Sequence, residues 1–341
     1  MIHWPDEAPW SPSKLLKRIL ITGASGFIGK YLARAFHRRG YSVIAQVRPS
    51  SNIEGLTDLP RLRIVYGALE NPSWLSSIDE KIDTVLHLAL PNRLNPQTDE
   101  GFLRELFGQC PFHLVYFSSI CAAGLDFCPQ PISETLTETC PPRFLPYDFY
   151  GIYKWEVEEL VKRCAEKHNF SATLLRPAVV YGPRMHGKSP LPLFRAIRNR
   201  NLVLWRGGQN RISFCAIENL VKTTLSIVSH PPPGRRLYHV ADPEQMSLRE
   251  FCGLAADAMG EPLTYREGST TFVKQVASCV RVTNRIGWTR SFADQYGWSR
   301  NTIADTTRLL NDYPDLTFTP TRAALTETVK DCLKTGLLEY R

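Results

Sequence analysis

No stretch of this chain approaches the roughly 18 consecutive apolar residues that a membrane-crossing helix needs. Its opening, Met1-Ile-His-Trp-Pro-Asp-Glu-Ala-Pro, lacks a basic segment followed by an apolar one, so no secretory signal is evident. Cysteines at Cys-x-x-Cys spacing are missing, and the nine present are an odd, scattered set. That argues against both a disulfide framework and a zinc site, so no metal is expected, and it fits reduced thiols in a cytoplasmic protein. Basic runs longer than two residues are also missing. The formal charge of +8, from 41 Lys and Arg against 33 Asp and Glu, is therefore spread along the chain. Nucleic acid becomes a weaker expectation than a phosphate-bearing small ligand, and no membrane partner is expected. There is no internal repeat and no low-complexity segment. What is there is 341 residues, 43% hydrophobic and 22% charged, enough for one large domain or two moderate ones.

Residues 1–16, rich in Pro, Trp and Ser, read as an N-terminal extension of unassigned role. From Arg18-Ile-Leu-Ile-Thr22 onward, short apolar, β-branched runs alternate with helical stretches. The runs are Tyr41–Val47, Leu62–Tyr66, Thr84–Ala89, His113–Phe117 and Ala172–Arg176. Ile28, Leu32, Ala35 and Phe36 recur at helical spacing and stop at Gly40. Alternation of this kind predicts parallel βαβ units. The expected fold is α/β: a Rossmann-type doubly wound parallel sheet with a smaller, mainly C-terminal mixed α/β substrate domain. In the second half, Ser247 to Glu250 predicts a capping box for a helix that runs to Gly260.

The segment Thr22-Gly23-Ala24-Ser25-Gly26-Phe27-Ile28-Gly29 follows a strand and opens a helix. Gly23 permits the tight turn, Gly26 lets backbone approach a pyrophosphate, and Gly29 lets the helix pack closely. The helix N-terminus then offers free N–H groups and a positive dipole end to an anion. This context predicts dinucleotide binding. The strand Tyr41–Val47 ends in Arg48-Pro49-Ser50-Ser51, with no carboxylate to hold the ribose 2′-hydroxyl of NAD. Arg48 can grip a 2′-phosphate, so NADP is expected ahead of NAD.

Tyr150-Gly-Ile-Tyr-Lys154 is a Tyr-x-x-x-Lys, of which 13 tyrosines and 12 lysines would produce roughly half of one by chance. Its setting adds weight. The pairs Glu158/Lys162 and Glu159/Arg163, with apolar Trp155, Leu160, Val161 and Cys164, predict a helix that puts Tyr150 and Lys154 on one face. An ammonium beside a phenol stabilises the phenolate and draws its pKa down from near 10. Upstream, Ser118 and Ser119 close a strand at the carboxyl edge of the expected sheet, where open α/β folds bind ligands.

Together these segments resemble the extended branch of the short-chain dehydrogenase/reductase superfamily, of the NAD-dependent epimerase/dehydratase type and its nucleotide-sugar branch. The carriers are Thr-Gly-x-x-Gly-x-x-Gly, Asp83-Thr-Val-Leu-His87-Leu-Ala89, Ser118-Ser119-x-x-x-x-Gly124, Tyr150-x-x-x-Lys154, Leu175-Arg176-Pro177 to Pro183, Ser213 to Val221, Tyr238 to Pro243, and Phe318 to Val329. The resemblance implies hydride transfer at a secondary alcohol or ketone. Tyr150 moves the proton, Lys154 tunes it and holds the nicotinamide ribose, and Ser119 polarises the carbonyl. It implies a cofactor site of Thr22, Gly23, Ser25, Gly26, Phe27, Ile28, Gly29, Arg48, Leu69, Leu88, Ala89, Tyr150, Lys154, Pro177 and Val180. Arg211 is a candidate for a substrate diphosphate beside Ser119. It also implies a cofactor-binding domain of 17–182 with a return segment 212–241, and a substrate domain of 183–211 and 242–341.

Two departures stand out. Gly67-Ala68-Leu69 occupies the place of the family's Gly-Asp-Leu, so its adenine-contacting Asp is missing. Between Ala89 and His113 only 23 residues remain, room for one short helix near Asp99–Gln109. No residue there matches the family's proton-relay Asn, and the helix on which relatives commonly build a homodimer is short. Three readings stay open: a nucleotide-sugar reductase or epimerase, a hydroxysteroid- or flavonoid-type alcohol dehydrogenase, and a non-catalytic dinucleotide sensor.

Overall fold

The computed structural model describes residues 17–107, 113–146, 148–185, 190–268 and 298–339, so the extension 1–16 lies outside the described residues. The chain divides into two compact units. One comprises the residues up to 117 with 156–173 and 227–236; the other comprises 118–155, 174–226 and 237 onwards.

The first strands are β1 (Arg18–Thr22), β2 (Ser42–Val47), β3 (Leu62–Tyr66), β4 (Thr84–His87), β5 (His113–Phe117) and β6 (Ser171–Pro177). They are followed by β7 (Val179–Tyr181), β8 (Val203–Trp205), β9 (Arg211–Ile212), β10 (Phe214–Ala216), β11 (Arg235–Val240), β12 (Met246–Ser247) and β13 (Arg266–Gly268). Seven of them form the central parallel sheet, in the order β11-β6-β5-β4-β1-β2-β3. The α/β expectation holds, and the expected strand bounds differ from the observed ones by at most a few residues.

In the first unit, β1 lies between β2 and β4, with Ile19 opposite both Val43 and Thr84. Strands β4 and β5 are buried along their whole length. That explains why β5 is apolar from Leu114 to Phe117, since a strand covered on both faces has no polar side to alternate with, while Thr84 and His87 of β4 are buried polar residues. Helix α1 (Phe27–Arg38) buries Tyr31, Leu32, Ala35 and Phe36, and a fully buried Phe contributes about 1.5–3 kcal/mol. The helix stops in a Schellman motif: Gly40 at φ +80° donates its N–H to His37, and Tyr41 donates to Phe36.

Helix α2 (Pro96–Phe107) starts three residues earlier than the spacing predicts. Asn95 caps it by accepting the Gln97 N–H at 3.2 Å, and Pro96 takes the first position, where a missing N–H costs nothing. Its expected end at Gln109 lies outside the described residues. Phe102 anchors α2, stacked between Trp74 and His87.

The second unit contains the short helix α3 (Glu134–Thr139) and the start of α4 (Phe149–His168). Further along α4, Lys162 pairs with Glu159 at 2.7 Å. Glu158, its expected partner, is wholly buried. Helices α5 (Leu191–Arg198), α6 (Ile217–Ser229) and α7 (Leu248–Met259) follow. The capping box of α7 forms as the sequence predicts, with Ser247 and Glu250 satisfying each other's backbone N–H groups, and Gly260 ends it at φ +70°. The core here is aromatic: Phe214 and Phe251 stack at 3.5 Å between ring centroids, with Tyr181, Phe194 and Trp298 around them.

Candidate active site

The glycine loop joins β1 to α1. Gly23 sits at φ +69°, and a Cβ there would meet Ala89 Cα and N at 2.9 Å, so loop and β4 exit touch backbone to backbone. A Cβ on Gly29 would come within 2.4 Å of the Gly23 carbonyl oxygen and 2.8 Å of Ala24 Cα. Gly29 thus lets α1 close onto its own loop. Gly26 is different. It is exposed, its φ of −72° suits any residue, and a Cβ would meet only the Gly23 oxygen, at 3.2 Å. The fold places little demand on this glycine.

Gly26 is also the N-cap of α1, without a side-chain cap, and the first turn holds no acidic residue. The positive end of this twelve-residue helix thus has no acidic side chain of its own in the first turn, which fits a pyrophosphate. Ser25, Phe27 and Ile28 surround it, half-buried. Thr22 points the other way: wholly buried, its hydroxyl accepts the N–H groups of Leu88 and Ala89, each at 3.2 Å.

Sequence reading missed Gln46. Its Oε1 accepts the Gly23 N–H at 2.9 Å and its Nε2 donates to the Gly67 carbonyl at 2.7 Å, bracing the loop. The signal was an amide inside an otherwise apolar strand. Leu69 is buried beyond β3, where Ala68 replaces the family's Asp and uses its carbonyl to accept the Trp74 indole N–H. Arg48 is exposed at the end of β2. It donates to Asn92 Oδ1 at 2.6 Å, and Asn92 N–H is held by the Glu70 carboxylate at 2.7 Å.

In the second unit, Ser119 follows β5 and caps the single turn Ile120–Ala123, its Oγ accepting the Cys121 N–H at 3.3 Å. The same hydroxyl is near enough to the Tyr150 hydroxyl and the Cys121 thiol to lower the pKa of each. Local sequence brings Tyr150 there. Asp148 caps α4 by accepting the Gly151 N–H at 2.9 Å. A Cβ on Gly151 would lie 2.8 Å from the Cys121 carbonyl oxygen, so only glycine lets α4 come this near the serine turn.

Lys154, one turn on, is buried with Nζ 6.0 Å from the centre of the Tyr150 ring and 5.8 Å from that of Tyr153. Tyr150 as a whole is 39% exposed, yet its hydroxyl is the buried end of the side chain. Burial pushes that hydroxyl's pKa above its ordinary value, the Cys121 thiol adds to the rise, and the Ser119 hydroxyl opposes it. The downward pull expected from Lys154 is not among the influences on this hydroxyl, on which desolvation dominates. Burial likewise raises the Cys121 thiol and the Asp148 carboxyl. Cys121 and Asp148 were not anticipated, although Asp two residues before Tyr150 is a readable N-cap.

The remaining expected residues lie on β6, β7 and β9. Pro177 ends β6 and is buried; Val180 lies on β7, paired with Cys215 of β10. Arg211, on β9, is exposed and donates to the Gln245 carbonyl at 2.8 Å. Its guanidinium serves the β9/β12 pairing in this arrangement.

A parallel sheet with an uncapped glycine-loop helix, and a Ser–Tyr pair with Lys one turn on, define a dinucleotide-dependent enzyme class. The family described as "NAD dependent epimerase/dehydratase family" matches residues 19–241, and the chain belongs to it. Among curated relatives, UDP-glucose 4-epimerase of Vibrio cholerae is 25% identical over 73% of this chain and 78% of its own length. Mouse (Mus musculus) sterol-4-alpha-carboxylate 3-dehydrogenase, decarboxylating, is 24% identical over 69% and 67%. A solved structure of UDP-glucuronic acid 4-epimerase from Bacillus cereus, with UDP-glucuronic acid and NAD, shares the fold at TM-score 0.72. It is 17% identical, over 93% of this chain and 99% of that one. Among the described residues, no helix is long and apolar enough to cross a membrane.

Proposed function

We propose that this protein is an NAD(P)-dependent oxidoreductase that interconverts a secondary alcohol and a ketone on a nucleotide sugar, as a reductase or as an epimerase through a keto intermediate. The observation that carries the reading is the nearness of the Ser119 hydroxyl to Tyr150, at the head of a helix that buries Lys154 one turn on. Ser119 Oγ–H donates to the substrate oxygen and polarises its carbon. Tyr150 exchanges the proton with that oxygen. Held neutral by burial, its hydroxyl is the form that gives a proton to a carbonyl being reduced. Lys154 supplies a positive charge that stabilises the phenolate left behind. The glycine loop and the α1 N-terminus hold the cofactor's pyrophosphate, and the bound nicotinamide supplies or takes up the hydride.

NADP is favoured over NAD, because Arg48 is exposed where NAD-binding units usually carry a carboxylate, and Asn92 holds its guanidinium in place. A second reading, an apolar alcohol such as a sterol, is favoured by the sterol dehydrogenase relatives and by Phe149, 60% exposed beside Tyr150.

The deciding experiment incubates purified protein with nucleotide sugars, steroids and flavonoids while following nicotinamide absorbance. Turnover with a nucleotide sugar supports the first reading, and turnover confined to steroids supports the second. Tightly retained NAD in the purified protein would mark an epimerase, which recycles its cofactor.

A further inference from the structure

Beneath the glycine loop, three side chains with no solvent exposure form a hydrogen-bonded chain: Thr22 at the end of β1, His87 at the end of β4, and Asp99 in the first turn of α2. Thr22 Oγ1 lies 2.8 Å from His87 Nδ1, and His87 Nε2 lies 3.1 Å from Asp99 Oδ1.

Counting protons fixes the direction of this chain. Thr22 Oγ1 already accepts two backbone N–H groups, those of Leu88 and Ala89. A hydroxyl has two acceptor sites and one proton, so Thr22 must donate to His87 Nδ1. Nδ1 is then the bare nitrogen, and the imidazole proton sits on Nε2, facing the Asp99 carboxylate. The opposite tautomer would point an N–H at Thr22, and three donors would compete for two acceptor sites. One of the Leu88 and Ala89 N–H groups would be displaced and left unpaired. This matters because Ala89 backbone is the surface on which Gly23 rests: even one added carbon on Gly23 would lie 2.9 Å from it.

We propose that Asp99 is a positioning residue for the dinucleotide: by accepting the Nε2 proton of His87 it selects the tautomer in which Thr22 secures the Leu88–Ala89 backbone beneath the glycine loop. The proposal rests on the reading that this loop binds a dinucleotide. It also gives the short connection after β4 a task, since α2 is the element that carries Asp99 to His87.

The test has two arms. In the first, protein with 15N-labelled histidine and no added nucleotide is examined by long-range proton–nitrogen NMR, which distinguishes the two tautomers. Wild type is expected to show His87 as Nε2–H. Asp99→Asn keeps an acceptor oxygen and should keep that signature; Asp99→Leu should bring in the Nδ1–H form. An Nδ1–H signature in wild type, or an unchanged one in Asp99→Leu, would overturn the proposal.

In the second arm, calorimetry measures NADP and NAD binding. Loss of one hydrogen bond under the loop corresponds to about a tenfold rise in Kd for Asp99→Leu and for Thr22→Val. Asp99→Asn and Thr22→Ser should stay within about twofold of wild type, and the KM for dinucleotide should rise more than kcat falls. A merely structural role would lower Tm in the Leu and Val variants without this split. If Asp99→Leu does not fold, the Thr22→Val and Thr22→Ser pair decides. Wild type binding neither dinucleotide would overturn the functional reading together with this one. Wild-type binding that is indifferent to both Asp99→Leu and Thr22→Val would overturn the positioning role alone.

Discussion

Replacing Gly26 and Gly29 separately by alanine should split stability from binding, because the structure gives these two glycines different reasons to exist. At Gly29 the new methyl carbon would sit 2.4 Å from the Gly23 oxygen and 2.8 Å from Ala24 Cα. Both neighbours are backbone and neither can swing aside. Overpacking of this kind costs about 1–3 kcal/mol, which outweighs the roughly 1 kcal/mol that alanine gains over glycine inside a helix. At Gly26 the only close atom is the Gly23 oxygen at 3.2 Å, a gap that a shift of a few tenths of an ångström relieves. Folding stability should therefore change by less than about 1 kcal/mol. The Gly26 methyl would instead stand over the uncapped α1 N-terminus. Displacing a phosphate oxygen from one N–H there forfeits a hydrogen bond to a charged group, about 1.5–3 kcal/mol, or about ten- to a hundredfold in Kd. Urea unfolding and calorimetric titration with NADP and NAD measure the two quantities side by side. The expected result is a normal unfolding midpoint with weak binding for Gly26→Ala, more so for Gly26→Val, and a lowered midpoint for Gly29→Ala. A folded Gly26→Val that binds dinucleotide as wild type does would remove the loop from the binding site.

Other expectations follow from individual groups. Tyr150→Phe should lower kcat by about 10²–10⁴ while dinucleotide affinity stays within a few-fold, since only the proton-transfer group is lost; near-normal turnover would refute the assigned role. Arg48→Asp should move the ratio of kcat/KM for NADP and NAD towards NAD, because a carboxylate repels a 2′-phosphate and accepts from a ribose hydroxyl; identical ratios in both proteins would mean that Arg48 does not read the phosphate. Asp242, buried, accepts from Ala216 N–H, Asn219 and Tyr181, yet burial pushes its pKa up to about 6 from 3.8. A raised folded-state pKa gives stability that is present below about pH 4 and lost as pH rises through 6, on the order of 2–3 kcal/mol. Asp242→Asn should flatten that part of the urea-midpoint profile between pH 4 and 7; a variant profile parallel to wild type would show that Asp242 does not titrate there. Glu134, pushed up to about 7, acts in the same direction in both proteins and cancels in the comparison.

Much of this protein is legible along the chain because the physics is local. Buried parallel strands write themselves as apolar runs, Gly40 and Gly260 end helices in the left-handed region, and the Ser247–Glu250 capping box needs only four residues. The glycine loop was readable for the same reason, since strand, turn and helix N-terminus are contiguous. Tyr150 and Lys154 share a face through helix geometry alone. What sequence could not supply are the relations between distant segments. Gln46 braces Gly23 and Gly67 from the next strand, Gly151 admits the Cys121 carbonyl, and Asp99 meets His87 only because α2 folds back over β4. The ionisation of Tyr150 belongs to this second group. Its motif predicts a phenol drawn down by Lys154, but the degree of burial that pushes the hydroxyl up is decided by everything packed around it. Residue types and their spacing determined which groups are on hand for chemistry; desolvation and close backbone approach, which exist only in the folded chain, decided how those groups are held.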